Sequence, residues 1–207
     1  MNLEEQWNRL TAWCTEYAPL TATSIRPGAS LDEIRVVENS LDISWPGELV
    51  EFYQLQNGQS SWNPGSDFFA GTIFPRKEIL SLPDILQLRE TMLEAWKTLE
   101  ISPDFDTLAS NAPQAGTVSY TFHPLYIPFA SLDDVHYVVD CRPGPQHGCV
   151  IEYAHESCDE GCVEFESVAS LLAALADSLY AGTKFGFWKA SVGEGFIDWN
   201  VPWTSDT

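Results

Sequence analysis

Positive charge is what this chain has least of. Its 207 residues carry 10 Lys and Arg against 30 Asp and Glu, a formal net charge of −20. Binding to nucleic acid or to an anionic membrane surface needs cationic side chains that displace counterions, so this balance excludes both as partners. Long apolar runs are also missing: no stretch approaches the roughly 18 consecutive apolar residues of a membrane span. The N-terminal MNLEEQW has two acids and no base ahead of any apolar segment, which is not how a secretory signal is built. Together these absences make the cytoplasm the expected address. Enzyme signatures are absent too. There is no G-x-S-x-G, no Walker A loop and no H-E-x-x-H, and His155-Glu156 lacks the second His four residues on. The chain is therefore expected not to be an enzyme.

Cysteine is sparse and odd in number: Cys14, Cys141, Cys149, Cys158 and Cys162. An odd count without a secretory signal reads as free thiols in a reducing compartment. Two readings of the last four stand side by side. They are thiols on adjacent strands and a loop, or Cys158 and Cys162 join His155 as soft ligands for zinc. A C-x-x-C knuckle is missing, and the Cys141-x7-Cys149 spacing fits no familiar zinc module. The first reading is therefore preferred, and neither metal nor cofactor is expected. The acid pairs Asp104/Asp106 and Asp133/Asp134 are of the kind used in acid-base catalysis, but among 30 carboxylates such pairs arise by chance. Asp140 is expected to brace the Pro143-Gly144 turn through backbone hydrogen bonds.

What the chain has in quantity is aromatic and aliphatic bulk: 8 Trp, 7 Tyr, 11 Phe and 44% hydrophobic residues, enough for a buried core. Apolar spacing predicts helices over about Leu3–Tyr17, Leu31–Ser40, Pro46–Gln56, Asp84–Glu100 and Val168–Tyr180. The first carries the stripe Leu3, Trp7, Leu10, Cys14, Tyr17. Ser30 and Glu33 form a capping box for the second. In the third, Leu49, Phe52, Tyr53 and Leu55 make an apolar face, Pro46 suits the first position, and Asn57-Gly58 is expected to cap the end. Strands are expected at about Phe68–Phe74, Tyr126–Ala130, Val135–Cys141, Gly148–Tyr153 and Cys162–Glu166, with a loop over Ser102–Ala115. Trp45, Phe52, Tyr53, Ile85, Trp96, Ile127, Phe129, Val138 and Leu172 are expected in the core. The fold class is α+β: a single domain with a mostly antiparallel sheet and helices packed on one side. Residues 1–181 form that domain. Residues 182–207 are an aromatic-rich extension, a hairpin or strap packed on it.

The order of these segments resembles one family. Pro27-Gly28-Ala29-Ser30 leading into a helix, then Trp45-Pro46-Gly47 and LVEFYQLQNGQ (Leu49–Gln59), resemble the entry segment of the Smi/Knr family of the SUKH superfamily. Ile79–Ile85, Tyr126–Ala130 and the YVVDCRPGPQHGC hairpin (Tyr137–Cys149) are similar to its later strand and turn elements. What the resemblance implies is a non-enzymatic binding protein. Many bacterial members look like immunity proteins that neutralise a cognate toxin, and fungal members are regulators of cell-wall assembly. The expected function is immunity through protein–protein binding. A cell-wall regulator or scaffold is the alternative, and a hydrolase or zinc enzyme is a distant third.

The charge says where such a partner would dock. Residues 1–97 hold 7 basic and 14 acidic residues, and residues 98–207 hold 3 and 16. A basic toxin domain is the partner this attracts. The candidate contact residues are Asp133, Asp134, Glu152, Glu156, Asp159, Glu160, Glu164 and Glu166, with Glu48, Glu51 and Asp67 as a second patch.

Overall fold

The fold is taken from a computed structural model that describes residues 1–61, 69–98, 114–119, 121–154 and 163–202. Among the described residues, six helices and ten strands follow one another along the chain. They are α1 (Leu3–Tyr17), α2 (Pro19–Thr23), β1 (Ile25–Pro27), α3 (Leu31–Leu41), α4 (Gly47–Leu55), β2 (Gln56–Gln59), β3 (Glu78–Ile79) and α5 (Leu82–Thr98). Then come β4 (Tyr126–Leu132), β5 (Val135–Asp140), β6 (Val150–Ala154), β7 (Val163–Phe165), α6 (Val168–Ala181), β8 (Lys184–Phe185), β9 (Trp188–Gly193) and β10 (Phe196–Asn200). The central sheet has the order β3-β4-β5-β6-β7 with every pair antiparallel. This is the expected α+β single-domain fold. A β1-β2 pair and a three-stranded β8-β9-β10 sheet flank it.

Alternation along β5 divides the interior. Tyr137 and Val139 point into the main core with Phe52, Phe74 and Phe129, over which α1, α4 and α6 pack. Val138 points the other way, into a smaller cluster with Tyr126, Ile151, Tyr153 and Met92 of α5. The helices thus cover more than one side of the sheet. The apolar stripe of α5 begins in the main core at Ile85 and ends in the smaller cluster, where Leu88, Leu93 and Trp96 pack. All nine expected core residues but Trp96 are buried. Trp96 is half-buried, and its indole Nε1 donates to the buried Tyr153 hydroxyl at 2.7 Å.

Helix ends follow local chemistry. Asn2 accepts from the Glu5 N–H at 2.8 Å and starts α1, with Glu4 and Glu5 complementing its dipole. The Ser30–Glu33 capping box forms in full. Tyr17 is exposed rather than on the α1 stripe, because Trp13 takes the inward side of the last turn and Tyr17 lies against its ring.

The Asn57-Gly58 step behaves differently from its local reading. The end of α4 has no left-handed cap: Gln56 is extended, and the chain runs straight into β2. Asn57 instead accepts from the Leu82 N–H at 2.9 Å, satisfying a free donor at the start of α5. Gly58, at φ +93°, lies so close to Ser81 that a Cβ would meet its backbone N at 2.7 Å. Gln59 donates to Ser24 Oγ and to the Gly71 carbonyl and accepts from the Ile73 N–H. The QNGQ step therefore ties β1, α5 and the 71–73 segment together. Pro46 lies one position before its expected place, as the residue preceding α4.

The strand expected at Phe68–Phe74 is not one. From Phe69 onward the segment makes isolated bridges, Gly71 with Ile197 and Phe74 with Lys77, because its backbone groups are taken by separate elements. Phe68 and most of the Ser102–Ala115 loop lie outside the described residues. Residues 184–200 send Phe185, Ile197 and Trp199 into the main core. The Trp199 indole donates to the Thr72 carbonyl at 2.9 Å, and the Ile197 N–H donates to Thr21 Oγ1 at 3.0 Å.

Candidate protein-binding face

The β4–β5 hairpin turns in two residues, with Leu132 paired to Val135. Asp133 occupies the left-handed conformation at φ 49°, which an aspartate tolerates better than most side chains. This places Asp133 and Asp134 at an exposed tip. On the neighbouring strand, Glu152 stands opposite Tyr137 and binds Lys77 Nζ at 2.8 Å. Lys77 is almost wholly covered, its ammonium 4.5 Å from the centre of the Tyr137 ring. A β-bulge makes Glu164 the extra residue of β7, since Val150 pairs with Phe165 and Ile151 with Val163. Burial and the nearby Glu152 push the Glu164 carboxyl above its ordinary range, and Lys77 opposes the shift. A cleft of about 290 Å³ joins these parts, lined by Lys77, Asp133, Glu152, Arg76 and Trp188 among others.

Of the expected contact residues, Asp133 and Glu152 line this cleft, Asp134 is exposed beside Asp133 at the hairpin tip, and Glu164 lies near Glu152. Glu166 is exposed where β7 leads into Ser167, the cap of α6. Glu156, Asp159, Glu160 and Asp67 lie outside the described residues, as do His155, Cys158 and Cys162. Glu48 and Glu51 are used within the molecule. Glu48 accepts from the Ala169 N–H at 3.1 Å at the start of α6, and Glu51 from the Glu4 N–H at 3.2 Å at the start of α1. Both sit where a helix dipole favours a carboxylate.

Sequence reasoning missed Arg76, Lys77 and Trp188. Pro75-Arg76 was the available signal. Pro75 is the second residue of a turn closed by the Lys77 N–H on the Phe74 carbonyl at 3.2 Å. Arg76 follows at φ 54°, where glycine is usual, with its guanidinium 5.7 Å from the centre of the Trp188 ring.

A second polar cluster lies inside the molecule. Asp140 accepts from Arg142 Nε at 3.0 Å and Nη2 at 2.8 Å, and from the backbone N–H groups of Arg142 and Gly116 at 3.0 and 2.8 Å. Arg142 Nη2 also donates to the Thr117 carbonyl and the Tyr126 hydroxyl. Both partners are wholly buried, so the pair fixes the turn after β5 and meets no solvent. Nearby, His123 accepts from the Leu125 N–H on Nδ1. Burial, helped by Arg142, lowers its pKa to about 4, so it is neutral at pH 7. Burial pushes the Cys14 and Cys141 thiols up to about 12 and Cys149 to about 11, which keeps them protonated and weakly nucleophilic. Among the described residues no group of three or more His, Cys, Asp or Glu is placed to hold a metal ion. No helix among them is long and apolar enough to cross a membrane.

The turn held by Asp140 and the QNGQ step fall within a stretch, residues 28–175, that matches the model of the SMI1 / KNR4 family (SUKH-1). The chain belongs to the SMI1 / KNR4 family (SUKH-1). At family level this supports an immunity or cell-wall-related role. No curated protein matches the chain. The family stretch opens at Gly28, where a Cβ would come within 1.8 Å of the Gln54 carbonyl oxygen. It ends inside α6, so α1 and the β8–β10 sheet both lie outside it.

Proposed function

We propose that this protein is a non-enzymatic immunity protein of the cytoplasm that neutralises a basic toxin domain by binding it. The observation that carries this reading is the set of acids running from Asp133 and Asp134 at the hairpin tip to Glu152 and Glu164 on the neighbouring strands, in a chain of net charge −20. A cationic partner is drawn to such a face, and charges of this kind act chiefly on the rate of encounter.

The test is association kinetics against any basic toxin domain found encoded beside the gene. The triple variant Asp133→Asn, Asp134→Asn, Glu164→Gln keeps side-chain shape, and Asn tolerates the left-handed position at 133. It should slow association by roughly 10-fold at low salt and flatten the salt dependence. An unchanged rate removes this face from the interface. Failure of the unmutated protein to bind the toxin or to protect against it overturns the immunity reading.

A further inference from the structure

We infer that Thr21, a buried residue of α2, is the positioning residue that holds shut the cleft between Lys77 and Trp188. The cleft has two walls of different origin. Pro75, Arg76 and Lys77 form one, and Trp188 of β9 stands on the other. Trp188 follows β10, because β9 pairs with that strand from Lys189 to Gly193. Residues 70–77 belong to no strand and meet β10 at the isolated bridge of Gly71 with Ile197. The distance between the walls is therefore set where the 70–73 segment is tied to β10.

Thr21 makes that tie. It is wholly buried and uses its hydroxyl both ways. It donates to the Ala70 carbonyl at 2.5 Å, in the segment that leads to Lys77. It accepts from the Ile197 N–H at 3.0 Å, in the strand that carries β9. Two further contacts brace it. The Trp199 indole donates to the Thr72 carbonyl, and Gln59 holds Gly71 and Ile73 from the other side. Gln59 also donates to Ser24 Oγ, which in turn donates to the Thr21 carbonyl at 2.7 Å. Gly71 permits the close approach: at φ +74°, a Cβ there would meet the Ile197 carbonyl oxygen at 2.3 Å. Each bond lost in such a buried network strands a donor or an acceptor, so the two walls separate only at a cost.

Both α2 and β10 lie outside residues 28–175. The additions on either side of the family stretch thus meet at Thr21 and close the cleft over Lys77, which has only 7% of its side chain exposed. That the cleft serves a partner rests on the binding reading above. The role of Thr21 does not, and its test uses the full-length protein alone.

The measurement is acylation of lysines by acetic anhydride, read peptide by peptide in a mass spectrometer, with the exposed Lys184 and Lys189 as internal references. In the unmutated protein Lys77 should react at least about 10-fold more slowly than either. Thr21→Val keeps the shape and removes both bonds, and should raise the relative Lys77 rate by about 5- to 10-fold. Thr21→Ser retains the hydroxyl and should leave that rate low. A folded Thr21→Val protein of lower stability whose Lys77 rate is unchanged would show that Thr21 only packs, and would overturn the assignment. Native-state amide exchange of the unmutated protein decides the matter even if Thr21→Val does not fold. The Ile73 and Ile197 N–H groups, one on each side of the seam, should exchange through one shared opening. Protection differing by more than about 10-fold would mean that the walls open separately, and Thr21 would not be the tie.

Discussion

On one face of the central sheet, Phe52, Phe74, Phe129 and Tyr137 meet through edge-to-face contacts with centroids 5.7–6.0 Å apart, roofed by three helices. On the other face the apolar cluster is small, and beside it lies a wholly buried ion pair held by directional bonds from Arg142 Nε and Nη2 to the Asp140 carboxylate. The first face is stabilised by area and tolerates some imprecision. The second depends on matched donors and acceptors, because a charge taken out of water is costly unless its partners are all present. One sheet therefore has a side that resists change through bulk and a side that fixes a single turn geometry through complementarity.

Three measurements sharpen this contrast, from the largest effect to the smallest. Phe52→Ala on the bulk side should cost about 3–5 kcal/mol in chemical denaturation, the transfer and cavity terms of a core aromatic. A shift of a few tenths would mean that α4 does not carry the core. On the polar side, Arg142→Met should cost about 3 kcal/mol by stranding the Asp140 carboxylate. Adding Asp140→Asn should recover part of that loss, since it removes the stranded charge while the single amide oxygen still accepts from either the Gly116 or the Arg142 N–H. A double variant no more stable than Arg142→Met would assign the loss to packing and erase the contrast.

The smallest effect is a pH dependence beside the ion pair. The folded-state pKa of His123 is about 4, below the ordinary value near 6.5. As pH falls below about 6.5 the unfolded chain takes up this proton first. The His123 contribution is complete above pH 6.5 and is lost progressively down to about pH 4. Allowing for screening at a half-exposed ring, the loss should be about 1–2 kcal/mol. Denaturation midpoints of His123→Asn between pH 7 and 4 should show a shallower slope. A slope identical to the unmutated protein would place the acid sensitivity elsewhere.

Much of the fold was legible from local pattern. The bounds of α1, the Ser30 capping box and the strands at 126, 135 and 163 follow from spacing and capping that act within a few residues. The candidate face was legible only in part. Asp133 and Asp134 stand on a turn that the sequence implies, and Glu164 sits in an alternating strand. Nothing near Lys77 in the chain says that it will pair with Glu152, and nothing near Trp188 says that Arg76 will cover it. Glu48 and Glu51 read as surface acids because the helix starts they serve, at Ala169 and Glu4, are distant in sequence.

The sequence by itself determined the charge, the periodicity, the helix starts and the order of motifs that carries family membership. Each of these is a property of composition or of neighbours along the chain. Only the tertiary structure decided that Asn57 would serve α5 rather than α4, that α5 would pass from one core to the other, and that Trp188 of the three-stranded sheet would line one cleft with Asp133 and Glu152. The physical reason is that a backbone donor, a buried charge or an aromatic edge is satisfied by whatever atom lies within about 3–6 Å. Which atom that is depends on how the whole chain closes.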